Sequence, residues 1–396
     1  MSLLDTLPPE LWVVVMTSFD SPHDLYRLIQ ACPNALQRFV YHKGQITREY
    51  TRRLETLLQD PIPTSALLAA QLRHDKLSWT AIMTKVDVQR KVGRLIRPYR
   101  DGTFTAAHLP LPTQLRGLCI LWATVLEAVD TLSNYSTEAL KEITKIMSSV
   151  KGLPEGTESN KELMATERRR FQHALFHYDG YCQAFFRDEE VLFCNNNLLR
   201  RYYLSPMLRG PEQGIAVEQF YSIIYYVYNQ HWLLMSSVAH RLRDSPDWPH
   251  QRFSMENPNK TIDEKVDISY FSWLVTERNF KDGDIKLHEY LTYLTSQGLD
   301  LLSKLQSMNI ADLTEFTLST YHRIHNSSQP AFLLTEVLGV GRRIHWGEVC
   351  FGGPSNWRKA YYFWDKPRRV SIDRNFERAL QVKIDFTKRC FPRSKG

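Results

Sequence analysis

Glycine, paired cysteine and long apolar runs are all scarce in this chain, and each shortage removes a class of protein. Only 17 of the 396 residues are glycine. Sheet-and-turn folds use glycine at left-handed turn positions, so the shortage favours helix. The cysteines, Cys32, Cys119, Cys182, Cys194, Cys350 and Cys390, form no Cys-x-x-Cys pair, and none has zinc-finger spacing to a second cysteine and a histidine pair. Reduced, mostly buried thiols are expected, with no disulfide framework and no structural zinc. The longest apolar run, Leu118 to Leu126, falls far short of the roughly 20 residues a membrane-spanning helix needs. The opening Met1-Ser2-Leu3-Leu4-Asp5 has no basic segment, and the apolar stretch Leu11 to Met16 is too short for a secretory signal core. A cytoplasmic or nuclear protein that touches no membrane is the expectation.

Catalytic signatures are missing as well. Gly339-Val340-Gly341 lacks the third glycine and the preceding strand of a dinucleotide loop. Neither a Walker loop nor a Gly-x-Ser-x-Gly elbow occurs. His173 and His177 stand at i and i+4, which is metal-ligand spacing, but Ala174 occupies the place where a metalloprotease helix carries its general base. The 3.6-residue turn puts the pair away from the Phe171/Leu175 stripe, so both are expected to face solvent. His231 and His240 are expected to be satisfied histidines of the core or its rim. No catalytic, cofactor or metal residue is assigned.

What is present suits a helical protein with real cores. Hydrophobic residues make up 43% and aromatics 12%, enough to bury two or three domains. The net charge of +7 does not call for a polyanionic partner. Near the C-terminus, Trp357, Arg358, Lys359, Tyr361, Tyr362, Trp364, Lys366, Arg368 and Arg369 interleave aromatics with cations. Such a run suits single-stranded nucleic acid. It equally suits a core edged by snorkelling cations, which is the preferred reading because no nucleic-acid fold signature accompanies it.

The helical periodicity begins early. Pro8 and Pro9 fit a first helical turn, and Glu10 suits the positive end of the dipole. Leu11, Val15 and Phe19 recur at i, i+4 and i+8, with Val14 beside them. Ser21-Pro22-His23-Asp24 starts a second helix by a variant capping box, and Leu25, Leu28, Ile29 and Cys32 form its apolar face. A third, with Leu36, Phe39 and Val40, is expected to end near Gly44. Further stripes follow at Ile46/Tyr50/Leu54/Leu57 and Leu115 to Leu132. A separate helix is expected from Ser136, carrying Leu140, Ile143 and Ile146, and another stripe falls at Phe171/Leu175/Tyr178/Cys182. The pattern from Phe220 to Leu242 is expected to be central to the core. Helices are also expected over 268–278, 286–307, 310–325 and 371–388. Turn-rich stretches at 151–157 and about 244–265 suggest boundaries. The expected class is all-α: a three-helix module over 1–45, a first helical part over 46–150 and a large irregular helical domain over 160–396.

Leu7-Pro8-x-Glu10-Leu11, Phe19, Ser21-Pro22-x-Asp24-Leu25, Leu28, Ile29 and Cys32 together resemble an F-box, and closely so the F-box segments of fungal proteins with long helical tails. The resemblance implies three helices that dock the Skp-type adaptor of a cullin-based ubiquitin ligase. Leu7, Pro8, Glu10, Leu11, Val14, Val15, Phe19, Pro22, Leu25, Leu28 and Ile29 would form the adaptor-binding surface, and the tail would hold a protein substrate. After Cys32 the chain departs from the family pattern, with Pro33-Asn34-Ala35-Leu36 where a basic residue and a tryptophan often stand. Arg170-Phe171-x-x-Ala174-Leu175-x-x-Tyr178 and Tyr361-Tyr362-Phe363-Trp364-Asp365 resemble the tails of the same proteins. The alternatives are a helical interaction scaffold without a ligase role and a nucleic-acid-associated protein using the basic aromatic C-terminus.

Overall fold

The computed structural model describes residues 7–77, 83–105, 114–148, 162–187, 190–193, 197–204, 213–244, 250–253, 264–267, 285–325 and 356–374. The fold is all-α. Its strands, among the described residues, are two short antiparallel hairpins, β1 (Phe186–Arg187) with β2 (Glu190–Val191) and β3 (His250–Phe253) with β4 (Glu264–Asp267). The second hairpin lies at the stretch read as a boundary.

The N-terminus folds as α1 (Pro9–Ser18), α2 (Pro22–Ala31) and α3 (Pro33–Leu58). Each begins with proline in the first turn, where its missing N–H would have no intrahelical partner. The Ser21 hydroxyl accepts the Asp24 N–H at 3.3 Å and donates to the Asp24 carboxylate at 2.7 Å, so Ser21 caps α2 as expected, but the Asp24 carboxylate meets the hydroxyl rather than the Ser21 N–H that a full box would use. The end expected near Gly44 does not occur. α3 continues to Leu58, because Ala35, Phe39, Ile46, Tyr50 and Leu54 keep one apolar stripe buried through that point. Gln59, left-handed at φ 55°, closes it.

α2 and α3 then pack on α6 (Leu115–Ser148), so the three-helix unit is seated on the rest of the chain. α6 also runs without a break. Ser136 lies inside it and hydrogen-bonds the Ser133 carbonyl, rather than starting a new helix. α4 (Thr64–Leu77) is buried along most of its length between α6 and α7 (Ala165–Phe185). α5 (Lys85–Asp101) turns Val88, Val92, Ile96 and Tyr99 inward, and Val86 is exposed. Pro98 sits in its last turn, and Gly102 at φ 71° ends it.

α7 is the central helix. From Phe171 to Phe185 all its residues except His173 are buried. α8 (Asn197–Leu204) packs on α5 and α7. α9 (Gln213–Arg243) packs on α7 and carries α10 (Ile285–Ser296), α11 (Leu299–Ser307) and α12 (Ile310–His325). The helix expected over 286–307 is thus two, broken at Gly298. The expected helix at 268–278 and the 151–157 linker lie outside the described residues. Of the helix expected over 371–388, the described part, α13, spans 366–374 and starts earlier.

The segment 356–374 returns to the beginning of α7. Phe363 stacks on Phe171 at 3.9 Å, and Trp364 meets Phe171 edge-on. Asp365 holds Arg170 at 2.7 Å, while buried Glu167 takes the Asp365 N–H and pairs with Arg368. Trp357, Phe363 and Trp364 are core residues, so these aromatics serve packing.

Candidate functional site

The candidate site is the N-terminal unit, and its geometry starts from how α1 is held. Trp12, Val13 and Met16 face inward. The last carbonyls of a helix lack intrahelical partners. Here α3 supplies them: Tyr50 donates its hydroxyl to the Met16 carbonyl at 2.9 Å and the Phe19 carbonyl at 3.3 Å. Arg53 donates to the carbonyls of Phe19, at 2.8 Å, and Thr17. Burial pushes the Tyr50 phenol up to about 12, so it stays a donor.

With Trp12 and Met16 committed inward, the opposite side of α1 is left apolar and open. Leu11 is 47% exposed and Val14 61%. Pro8 and Glu10 are exposed beside them, and Leu7, Val15 and Phe19 are half-buried. On α3, Leu36, Val40 and Tyr41 are exposed, Tyr41 to 82%. Leu36 and Val40 had been grouped with Phe39, but only Phe39 points inward. Tyr41 carried no periodic signal, because it lies off every apolar stripe.

The eleven residues of the expected docking surface therefore divide. Leu7, Pro8, Glu10, Leu11, Val14, Val15, Phe19 and half-buried Leu28 keep access to the outside. Pro22, Leu25 and Ile29 do not: they are sealed between α2 and its neighbours, Leu25 completely. Periodicity groups apolar residues on one side of α2 but does not say whether that side meets α3 and α6 or a foreign surface.

His177 does not face solvent; it is buried, its ring within 3.0 Å of the Tyr99 hydroxyl, and burial lowers its pKa to about 3. His173 is exposed. His231 is fully buried, and among the described residues neither ring nitrogen finds the hydrogen-bond partner expected; His240 is exposed. Among the described residues no group of three or more His, Cys, Asp or Glu side chains is placed to hold a metal. Cys32, Cys119 and Cys182 are free thiols, and burial raises Cys119 to about 11.

A second polar centre had no sequence signal. Buried Arg73 of α4 grips Asp179 of α7 through two nitrogens, at 2.8 and 2.6 Å, and Glu127 of α6 at 2.5 Å. Asp179 also accepts the Leu299 N–H at the start of α11, 3.0 Å away. Arg73 and Asp179 are 106 positions apart, so only folding joins them.

The fold defines the class: an all-α protein whose described helices include none long and apolar enough to cross a membrane. No protein-family model, no curated protein and no solved structure matches the chain.

Proposed function

We propose that this chain is an F-box-type adaptor: α1 and its surroundings dock a Skp-type adaptor of a cullin-based ubiquitin ligase, and the helical remainder holds a protein substrate. The observation that carries the reading is the outward apolar side of α1, Leu11 and Val14, next to the Leu7-Pro8-x-Glu10 opening. A helix held firmly by Tyr50 and Arg53, yet presenting leucine and valine to solvent, is suited to filling an apolar groove. The chain would act by tethering. Proximity raises the local concentration of substrate lysines near the charged conjugating enzyme, and no chemistry is asked of this chain.

A cytoplasmic or nuclear location belongs to the same proposal. The scaffold alternative draws on one observation, the packing of α2 and α3 on α6, which gives the unit an internal capping role. The nucleic-acid alternative has less support, because Trp357 and Trp364 are buried rather than presented for stacking.

Pull-down of the full chain with the Skp-type adaptor separates the readings. The wild type is expected to capture it. Truncating Leu11 to Ala should cost about 1–3 kcal/mol of binding, and the pair Leu11→Asp with Val14→Asp should abolish capture while Tm stays put. Leu25→Ala, by contrast, should lower Tm, since it empties a sealed core position. Failure of the wild type to capture the adaptor ends the proposal and favours the scaffold.

A further inference from the structure

A cavity of about 410 Å³ lies between the beginnings of α4 and α9, the end of α5 and the middle of α7. Its polar lining comes from Thr64, Ser65, His173, His177 and Gln219, and its apolar walls from Tyr99, Phe104, Ala174 and Ala216. The volume falls within the range of small-molecule sites. We propose that this cavity binds a small organic anion, a carboxylate or phosphate ester carried on an apolar body.

Four observations converge on that chemistry. First, Ser65 is 2% exposed and its buried hydroxyl has no hydrogen-bond partner among the described residues, although a buried hydroxyl normally has one. Second, the 14-residue α4 begins at the cavity wall. The Pro63 carbonyl engages the Ala66 and Leu67 N–H groups, and Thr64 and Ser65 precede any i−4 carbonyl of the helix. α9 begins at the same wall, with Ala216 in its first turn, so two positive helix ends converge on the space. Third, no carboxylate is among the described lining residues to pair with a cation, and no Lys or Arg either, so an anion there would be held by the hydroxyl, the imidazoles and the helix ends. Fourth, the His173 and His177 rings lie 6.3 Å apart along the cavity side of α7, His177 sharing a hydrogen bond with the Tyr99 hydroxyl at 3.0 Å and His173 exposed to accept or donate. Burial holds His177 neutral. Neutral hydrogen-bond donors can hold an oxyanion, as in an oxyanion hole. The apolar walls leave room beyond a bare oxyanion, which is why an organic body is part of the ligand.

This inference does not depend on the adaptor reading. The test titrates the full chain, by calorimetry or NMR at constant ionic strength, with benzoate, phenyl phosphate, benzamide and benzamidinium, which share one ring and differ in charge. At least one anion is expected to bind about tenfold or more tighter than benzamide, about 1.4 kcal/mol, and benzamidinium not at all. The tighter anion tells whether carboxylate or phosphate is the natural group. Ala216→Leu, which fills the cavity, should abolish binding, and Ser65→Ala should weaken it several-fold, with Tm not lowered in either, since Ser65→Ala removes a buried hydroxyl without a partner among the described residues. Anions no tighter than benzamide, any binding of benzamidinium, or Ala216→Leu binding like the wild type overturns the proposal. The charge series on the wild type decides alone if a variant fails to fold.

Discussion

Glu127 shows how one residue's environment sets a pH response. It reaches Arg73 at 2.5 Å, but Asp179 already holds that guanidinium by two bonds. Burial therefore outweighs the pull of Arg73, with Asp179 and Asp300 adding repulsion, and the Glu127 pKa rises to about 7. A carboxyl whose folded pKa exceeds its unfolded value binds a proton more tightly in the fold. Its contribution is greatest below the unfolded value near 4.5 and is lost as pH rises through about 7. Glu127→Gln keeps an acceptor for Arg73 and removes the titration. The urea midpoint of the wild type is expected to fall between about pH 4.5 and 7 by this linkage, and that of the variant to change less. Equal slopes would show that Glu127 is charged throughout.

Among elements, the corner between α10 and α11 is the most constrained. Gly298 takes φ 95°, and a Cβ there would lie 2.7 Å from Gln183 Nε2 and 2.8 Å from Asp179 Oδ1. The left-handed backbone and the crowding both require glycine. Gly298→Ala should cost about 1–3 kcal/mol from the backbone alone, and more from the displaced Asp179. Gly93, inside α5, is the matched control. Its Cβ would meet nothing within 4 Å, so Gly93→Ala should stabilise by about 0.5–1 kcal/mol through helix propensity and chain entropy. Denaturant unfolding of the two variants measures both signs.

At the scale of the whole molecule, the N-terminal unit is joined to the rest through α3 and α6. A boundary at residue 45 falls inside α3, between a buried Phe39 and a buried Ile46. Removing residues 1–45 would uncover the α6 surface that α2 occupies and break the stripe that holds α3. The truncated chain is expected to show a lower Tm and exposed apolar surface, read by dye binding and calorimetry. An unchanged Tm would instead establish the first 45 residues as a separate module.

Helix starts were legible locally, because proline position, the Ser21 cap and apolar spacing act within a few residues. Helix ends and facing were less so. Gly44 and Ser136 read as breaks, yet tertiary packing on both sides holds α3 and α6 straight through them, outweighing the modest local penalty of one glycine or serine. The candidate docking face was half legible. Leu11 and Val14 were named correctly as apolar residues of α1, while the choice between inward Leu25 and outward Val14 was made by what lay across from each. By itself the sequence determined the all-α class, the caps and the apolar stripes, since these follow from short-range chemistry. The tertiary structure alone decided which stripe stays open, that His177 is buried, and that Arg73, Glu127 and Asp179 meet, because burial and charge pairing depend on residues 54 to 106 positions away.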